Sequence, residues 1–110
     1  MAASALEMLA TQPCVPGAAR LPAAALEDGM KVLSGWAATG DRIEKTFGFA
    51  DYHETIAFVN AIAWTAHRAD HHPDLAVHFN RCVVRYSTHD AGGVTRNDLI
   101  CAARVEHLLG

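Results

Sequence analysis

No stretch of this chain approaches eighteen apolar residues in a row, so nothing in it reads as a membrane-spanning helix. Cysteine is scarce. Cys14, Cys82 and Cys101 make an odd number with no CxxC spacing, which argues against a disulfide framework and for a reducing cytoplasm. Basic residues are few and scattered, nine Lys and Arg against twelve Asp and Glu, for a net charge of −3 with histidine neutral. A nucleic-acid footprint would need them clustered. No positive charge precedes Arg20, and Glu7, Pro13 and Pro16 interrupt the alanine-rich start, so a secretory signal is not expected. Repeats and low-complexity runs are missing as well.

What remains is a chain of 110 residues, 51% hydrophobic and 19% charged, an ordinary composition for one globular domain. Histidine is the exception. There are seven, and five of them (His67, His71, His72, His78, His89) fall within 23 positions.

Residues 1–20 show no stable period, and Pro13 and Pro16 break any helix tried there, so they read as a flexible or loosely docked extension to a single domain over 21–110. Leu21-Pro22 opens a helix whose stripe is Leu26, Met30 and Leu33, stopped by Gly35. Trp36-Ala37-Ala38 reads as a short strand turned by Thr39-Gly40-Asp41. From Arg42 the chain alternates, with Ile43, Phe47 and Phe49 on one face and Lys45 an exception on that same face. Asp51 and Glu54 form a capping-box pattern ahead of a helix with Tyr52, Ile56, Val59, Ala63 and Ala66 at helical spacing, widened by Phe58 and Ile62. Pro73 ends it. Leu75, Val77 and Phe79, then Cys82, Val84 and Tyr86, make a second hairpin around Asn80-Arg81. After a loop at 89–93, Thr95 and Asp98 cap a last helix with Leu99, Ala102, Val105 and Leu109 inward. The order α-β-β-α-β-β-α predicts an α+β fold, a four-stranded antiparallel sheet with three helices on one face.

The chemistry concentrates in His71-His72-Pro73-Asp74 and Thr88-His89-Asp90. Imidazole exchanges protons near neutrality, and two breaker-bounded segments each present one. His53, His78 and His107 stand alone in their elements and read as solvated or structural. Two readings stay open for the others. His67 and His71, four apart in one helical turn, have metal-ligand spacing with His89 as a third nitrogen, although the glutamate of His-Glu-x-x-His is absent. The alternative is metal-free acid/base catalysis by histidines whose coupling pushes their pKa values apart.

The run His67-x3-His71-His72-Pro73-x5-Phe79-x9-His89-x8-Asp98 resembles the signature of pterin-4a-carbinolamine dehydratases. So do Gly35-Trp36, Phe47-Gly48-Phe49 and Thr88-His89-Asp90-Ala91-Gly92-Gly93-Val94-Thr95, and the likeness covers about residues 21–109. The resemblance implies the same four-stranded sheet with three helices on one side. It implies dehydration of 4a-hydroxytetrahydrobiopterin to quinonoid dihydropterin, with neither metal nor organic cofactor. It implies His71, His72 and His89 as catalytic residues and Asp70, Pro73, Trp36, His67, Thr88 and Asp98 as substrate contacts. His67 stands where many relatives carry glutamate. Implied too are a homodimer or homotetramer and a pathway link to aromatic amino acid hydroxylases, with no direct nucleic-acid or membrane partner. The location implied is cytoplasmic, with a nuclear pool should a coactivator role exist. The rival class is an interaction module, a transcriptional coactivator or assembly factor; retention of all three histidines favours the enzyme.

Overall fold

In the computed structural model, which describes residues 4–109, two β-hairpins merge into one antiparallel sheet. Strands β1 (Ala37–Thr39), β2 (Arg42–Gly48), β3 (Asp74–Val77) and β4 (Arg81–Tyr86) stand in the order β1-β2-β4-β3. Helices α2 (Ala23–Met30), α3 (Tyr52–Ala69) and α4 (Arg96–Leu109) follow the expected order, so the α+β architecture is the one read from the sequence. A further helix, α1 (Ala5–Ala10), precedes them.

Alternation decides which face of the sheet is buried. Ile43 and Phe47 of β2 and Cys82, Val84 and Tyr86 of β4 point inward and are buried, and α3 and α4 cover them. Each such large side chain contributes about 1.5–3 kcal/mol by leaving water. Lys45, the exception in the pattern, also points inward. Its ammonium is only half-buried, held by the Glu106 carboxylate of α4 and by the Ser34 carbonyl at 3.0 Å. Trp36 packs edge-on against Phe47 and donates its indole N–H to Glu106 at 3.0 Å.

The cap on α3 forms as expected. Asp51 accepts the Glu54 N–H at 2.8 Å, and Glu54 reaches back to the Ala50 N–H at 3.1 Å. The buried stripe of α3, however, is Thr55, Phe58, Ile62 and Ala66, while Tyr52 and Ala63 are exposed. Phe58 sets this rotation by inserting between Phe47 and Phe49, with centroids 4.8 and 4.9 Å away. Strand β3 also stops short of Phe79, which lies exposed and stacked on Tyr52.

The N-terminal stretch holds a helix that no periodicity in the sequence announced. Residues 1–3 and 110 lie outside the described residues. Ser4 caps α1 through the Glu7 N–H at 3.1 Å, and Leu6, Leu9 and Ala10 pack on the core, against α4. The prolines break the chain only after this short helix has ended. With α1 on one side and the sheet on the other, α4 is buried almost all round from Asn97 to Val105 rather than along one stripe. Among the described residues no helix is long and apolar enough to cross a membrane.

Candidate active site

The site begins where α3 ends. Asp70 takes the left-handed conformation (φ 51°, ψ 40°), the one non-glycine residue with positive φ among those described. Its N–H donates to the His67 carbonyl at 3.3 Å and the His71 N–H to the Ala66 carbonyl at 3.2 Å, the paired bonds that close a helix C-terminus. His71 therefore lies just beyond the helix, and the expectation that His67 and His71 share a face of its last turn is corrected. The left-handed residue between them redirects the chain.

Thus redirected, the His71 ring lies flat against Tyr86 of β4, centroids 6.0 Å apart and planes within 7°. Its Nε2 is 2.5 Å from Oδ1 of Asp98. Asp98 is wholly buried in the first turn of α4. Its Oδ2 accepts the Thr95 N–H at 2.8 Å and the Thr88 hydroxyl at 2.8 Å. The side chain is at once the anticipated helix cap and the ring's partner. Thr88 spends its proton on Asp98, so at the 2.8 Å Thr88–Thr95 contact Thr95 donates. A carboxylate holding two donors on one oxygen presents an acceptor on the other. Nε2 of His71 thus carries the hydrogen, and Nδ1 is left free to take one.

Around this ring is a cleft of about 410 Å³, lined by Ala69, Asp70, His71, Thr88, Asp90 and Asn97 and by Cys14 to Ala18. Two carboxylates and a hydroxyl make its inner side rich in acceptors. Asp70, His71 and Thr88 line this one cleft, and Asp98 holds the His71 ring and the Thr88 hydroxyl. His72 and His89 are exposed and border the cleft only through their chain neighbours; His89 opens a 3-10 turn over His89–Ala91. Pro73 leads into the edge strand β3, and His67 is exposed on α3. Trp36 lies one ring behind the site, 6.2 Å from Tyr86, in the core rather than in the cleft. Among the described residues no three histidine, cysteine or acidic side chains converge as a metal site. Burial, and then Cys101, Asp98 and Cys14, push the Tyr86 phenol far above its usual range, so it stays neutral behind the imidazole.

Sequence reasoning did not single out Asp90, Asn97 or the Cys14–Ala18 wall. Asp90 stood inside a motif it quoted; the wall had no local signal at all.

An α+β domain that sets a histidine–carboxylate pair at the edge of an acceptor-lined cleft is the class of protein these features define. The family model described as pterin 4 alpha carbinolamine dehydratase matches residues 19–108. A Chromobacterium violaceum protein named "Putative pterin-4-alpha-carbinolamine dehydratase" is 52% identical over 97 residues, 86% of this chain and 90% of that one. One of the same name from Xanthomonas campestris is 57% identical over 91 residues, 81% and 77% of the two chains. Among solved structures, a transcriptional coactivator/pterin dehydratase from Brucella melitensis superposes with a TM-score of 0.79 at 29% identity, covering 83% of this chain and 99% of its own. A pterin dehydratase-like protein identified as a RuBisCO assembly factor in the alpha-carboxysome gives 0.60 at 25% identity, over 69% and 90%. The chain belongs to the pterin 4 alpha carbinolamine dehydratase family.

Proposed function

We propose that this protein dehydrates 4a-hydroxytetrahydrobiopterin to the quinonoid dihydropterin, using its own side chains for proton transfer. The observation that carries the reading is the His71–Asp98 pair at the cleft. In the reaction the N5–H proton leaves, the C4a–O bond breaks, and the hydroxyl departs as water once protonated, leaving a C4a–N5 double bond. His71 Nδ1 takes the N5 proton, and Asp98 stabilises the imidazolium that results, as an oriented carboxylate does for a histidine base. His89 and His72, at the cleft's border, are the candidates to protonate the leaving hydroxyl. Asp70 and Asp90 suit the 2-amino and ring N–H donors of a pterin, which a carboxylate accepts in pairs. The protein acts in the cytoplasm, where its three free cysteines stay reduced. It works as a homo-oligomer that pairs or covers the exposed edge of β3.

The test is stopped-flow dehydration of enzymatically generated 4a-carbinolamine. We expect acceleration over the uncatalysed rate that survives exhaustive chelation; no acceleration would end the reading, and loss on chelation would end its metal-free form. The second reading, an interaction module, draws on the assembly role named for the carboxysome neighbour. It assigns no work to a buried carboxylate that orients an imidazole.

Asp70→Gly separates binding from folding. Glycine takes the left-handed conformation freely, so relief of about 1–2 kcal/mol of backbone strain roughly offsets the added freedom of the unfolded chain. Thermal unfolding should stay within about 1 kcal/mol of wild type while KM rises about tenfold. An unchanged KM would remove Asp70 from the substrate contacts.

A further inference from the structure

Between α1 and α2 the chain runs as a strap along α4. Arg104 donates to the Ala10 carbonyl at 3.0 Å and to the Gln12 carbonyl at 2.6 Å. The Asn97 amide grips Val15 from both sides, accepting its N–H at 2.9 Å and donating to its carbonyl at 2.8 Å. Cys14 Sγ rests 3.7 Å from Cys101 Sγ. Burial, and then Cys14, push the Cys101 thiol far above its usual range, so Cys101 meets Cys14 as a protonated, unreactive thiol. At the strap's far end Arg20 bridges to Thr95, and the Leu21 N–H donates to the Val94 carbonyl at 2.9 Å. Every hold is on α4 or on the segment leading into it.

We infer that Cys14–Ala18 is a substrate-contacting wall of the cleft, that Asn97 positions it, and that this wall reads the substituent at C6 of the pterin. The inference rests on the dehydratase reading and extends it to specificity. Asn97 is buried and adjoins Asp98, so one turn of α4 sets both sides of the cleft: Asp98 fixes the His71 ring, and Asn97 fixes the strap facing it. The two sides differ in chemistry. Asp70, Thr88 and Asp90 offer acceptors, whereas Val15, Pro16, Gly17 and Ala18 carry no charge. A pterin is polarised in the same way: its pyrimidine edge carries N–H donors, and its C6–C7 edge is carbon. With the donors on the carboxylates and N5–C4a at His71, C6 faces the strap. The family match begins at residue 19, so this wall precedes the matched segment.

Two full-length variants test this. Asn97→Ala releases Val15, and Ala18→Leu fills the wall from a partly exposed loop position without touching the core. Steady-state dehydration is measured alongside dissociation constants for 7,8-dihydrobiopterin and for 7,8-dihydropterin, which lacks the C6 side chain. Asn97→Ala should raise KM about tenfold with kcat within about twofold of wild type. Ala18→Leu should weaken dihydrobiopterin about tenfold and dihydropterin by less than about twofold. A wild type that turns over while both variants match it would overturn this inference alone. Equal losses on the two ligands would overturn the C6 assignment. A wild type that neither binds nor turns over a pterin would overturn the inference together with the dehydratase reading.

Discussion

Asp98→Asn is expected to lower the dehydration rate by about 10²–10⁴-fold while leaving the fold in place. An amide has one acceptor oxygen. In this site that oxygen stays where the Thr95 N–H and the Thr88 hydroxyl both point, which turns the NH₂ group toward His71. Two donors cannot face each other, so Nε2 must give up its hydrogen and Nδ1 must carry it. The nitrogen that has to accept the substrate proton is then occupied. Asp98→Ala differs in kind, since it strips a partner from three donors in a buried setting. Each orphaned group costs about 1–3 kcal/mol, so this variant should lose much of its stability. Nitrogen-15 spectra of the imidazole read the tautomer directly, and thermal melts separate the two variants. A full-rate Asp98→Asn enzyme would show that ring orientation does not matter here.

His71→Ala and His89→Ala should each slow dehydration by at least about 10²-fold if both are proton-transfer groups. The two variants call for different controls because the residues sit differently. His71 covers Tyr86 and satisfies Asp98, so alanine there also leaves a buried carboxylate without a partner. His71→Gln keeps a donor for Asp98 but has no basic nitrogen, and it should lose the rate with less loss of stability. His89 is exposed, so its removal should shift stability by no more than about 0.5 kcal/mol, and any loss of rate is then chemical. Stopped-flow rates beside unfolding curves decide the matter. Unchanged rates in both alanine variants would remove the acid/base assignment, and an unchanged His89→Ala alone would pass the leaving-group proton to His72 or solvent.

Some parts of the fold and site could be read along the chain because their causes are local. The Asp51–Glu54 cap and the two hairpins each depend on residues a few positions apart. Asp98 was legible twice, as a cap three residues after Thr95 and as the last member of a spaced motif. Misjudged features had distant causes. The buried stripe of α3 is rotated because Phe58 meets Phe47 and Phe49 on another element. Helix α1 is too short to announce itself by period, and it packs against α4.

By itself, then, the sequence determined the order of elements from α2 onward, the faces that β2 and β4 bury and the family, because periodicity, capping and motif spacing are properties of neighbours in the chain. Tertiary structure alone decided which groups meet. His71 finds Asp98 across 27 positions, and Val15 finds Asn97 across 82. A hydrogen bond over such a separation depends on how helix and sheet pack, and it leaves no pattern in either segment from which it could be foreseen.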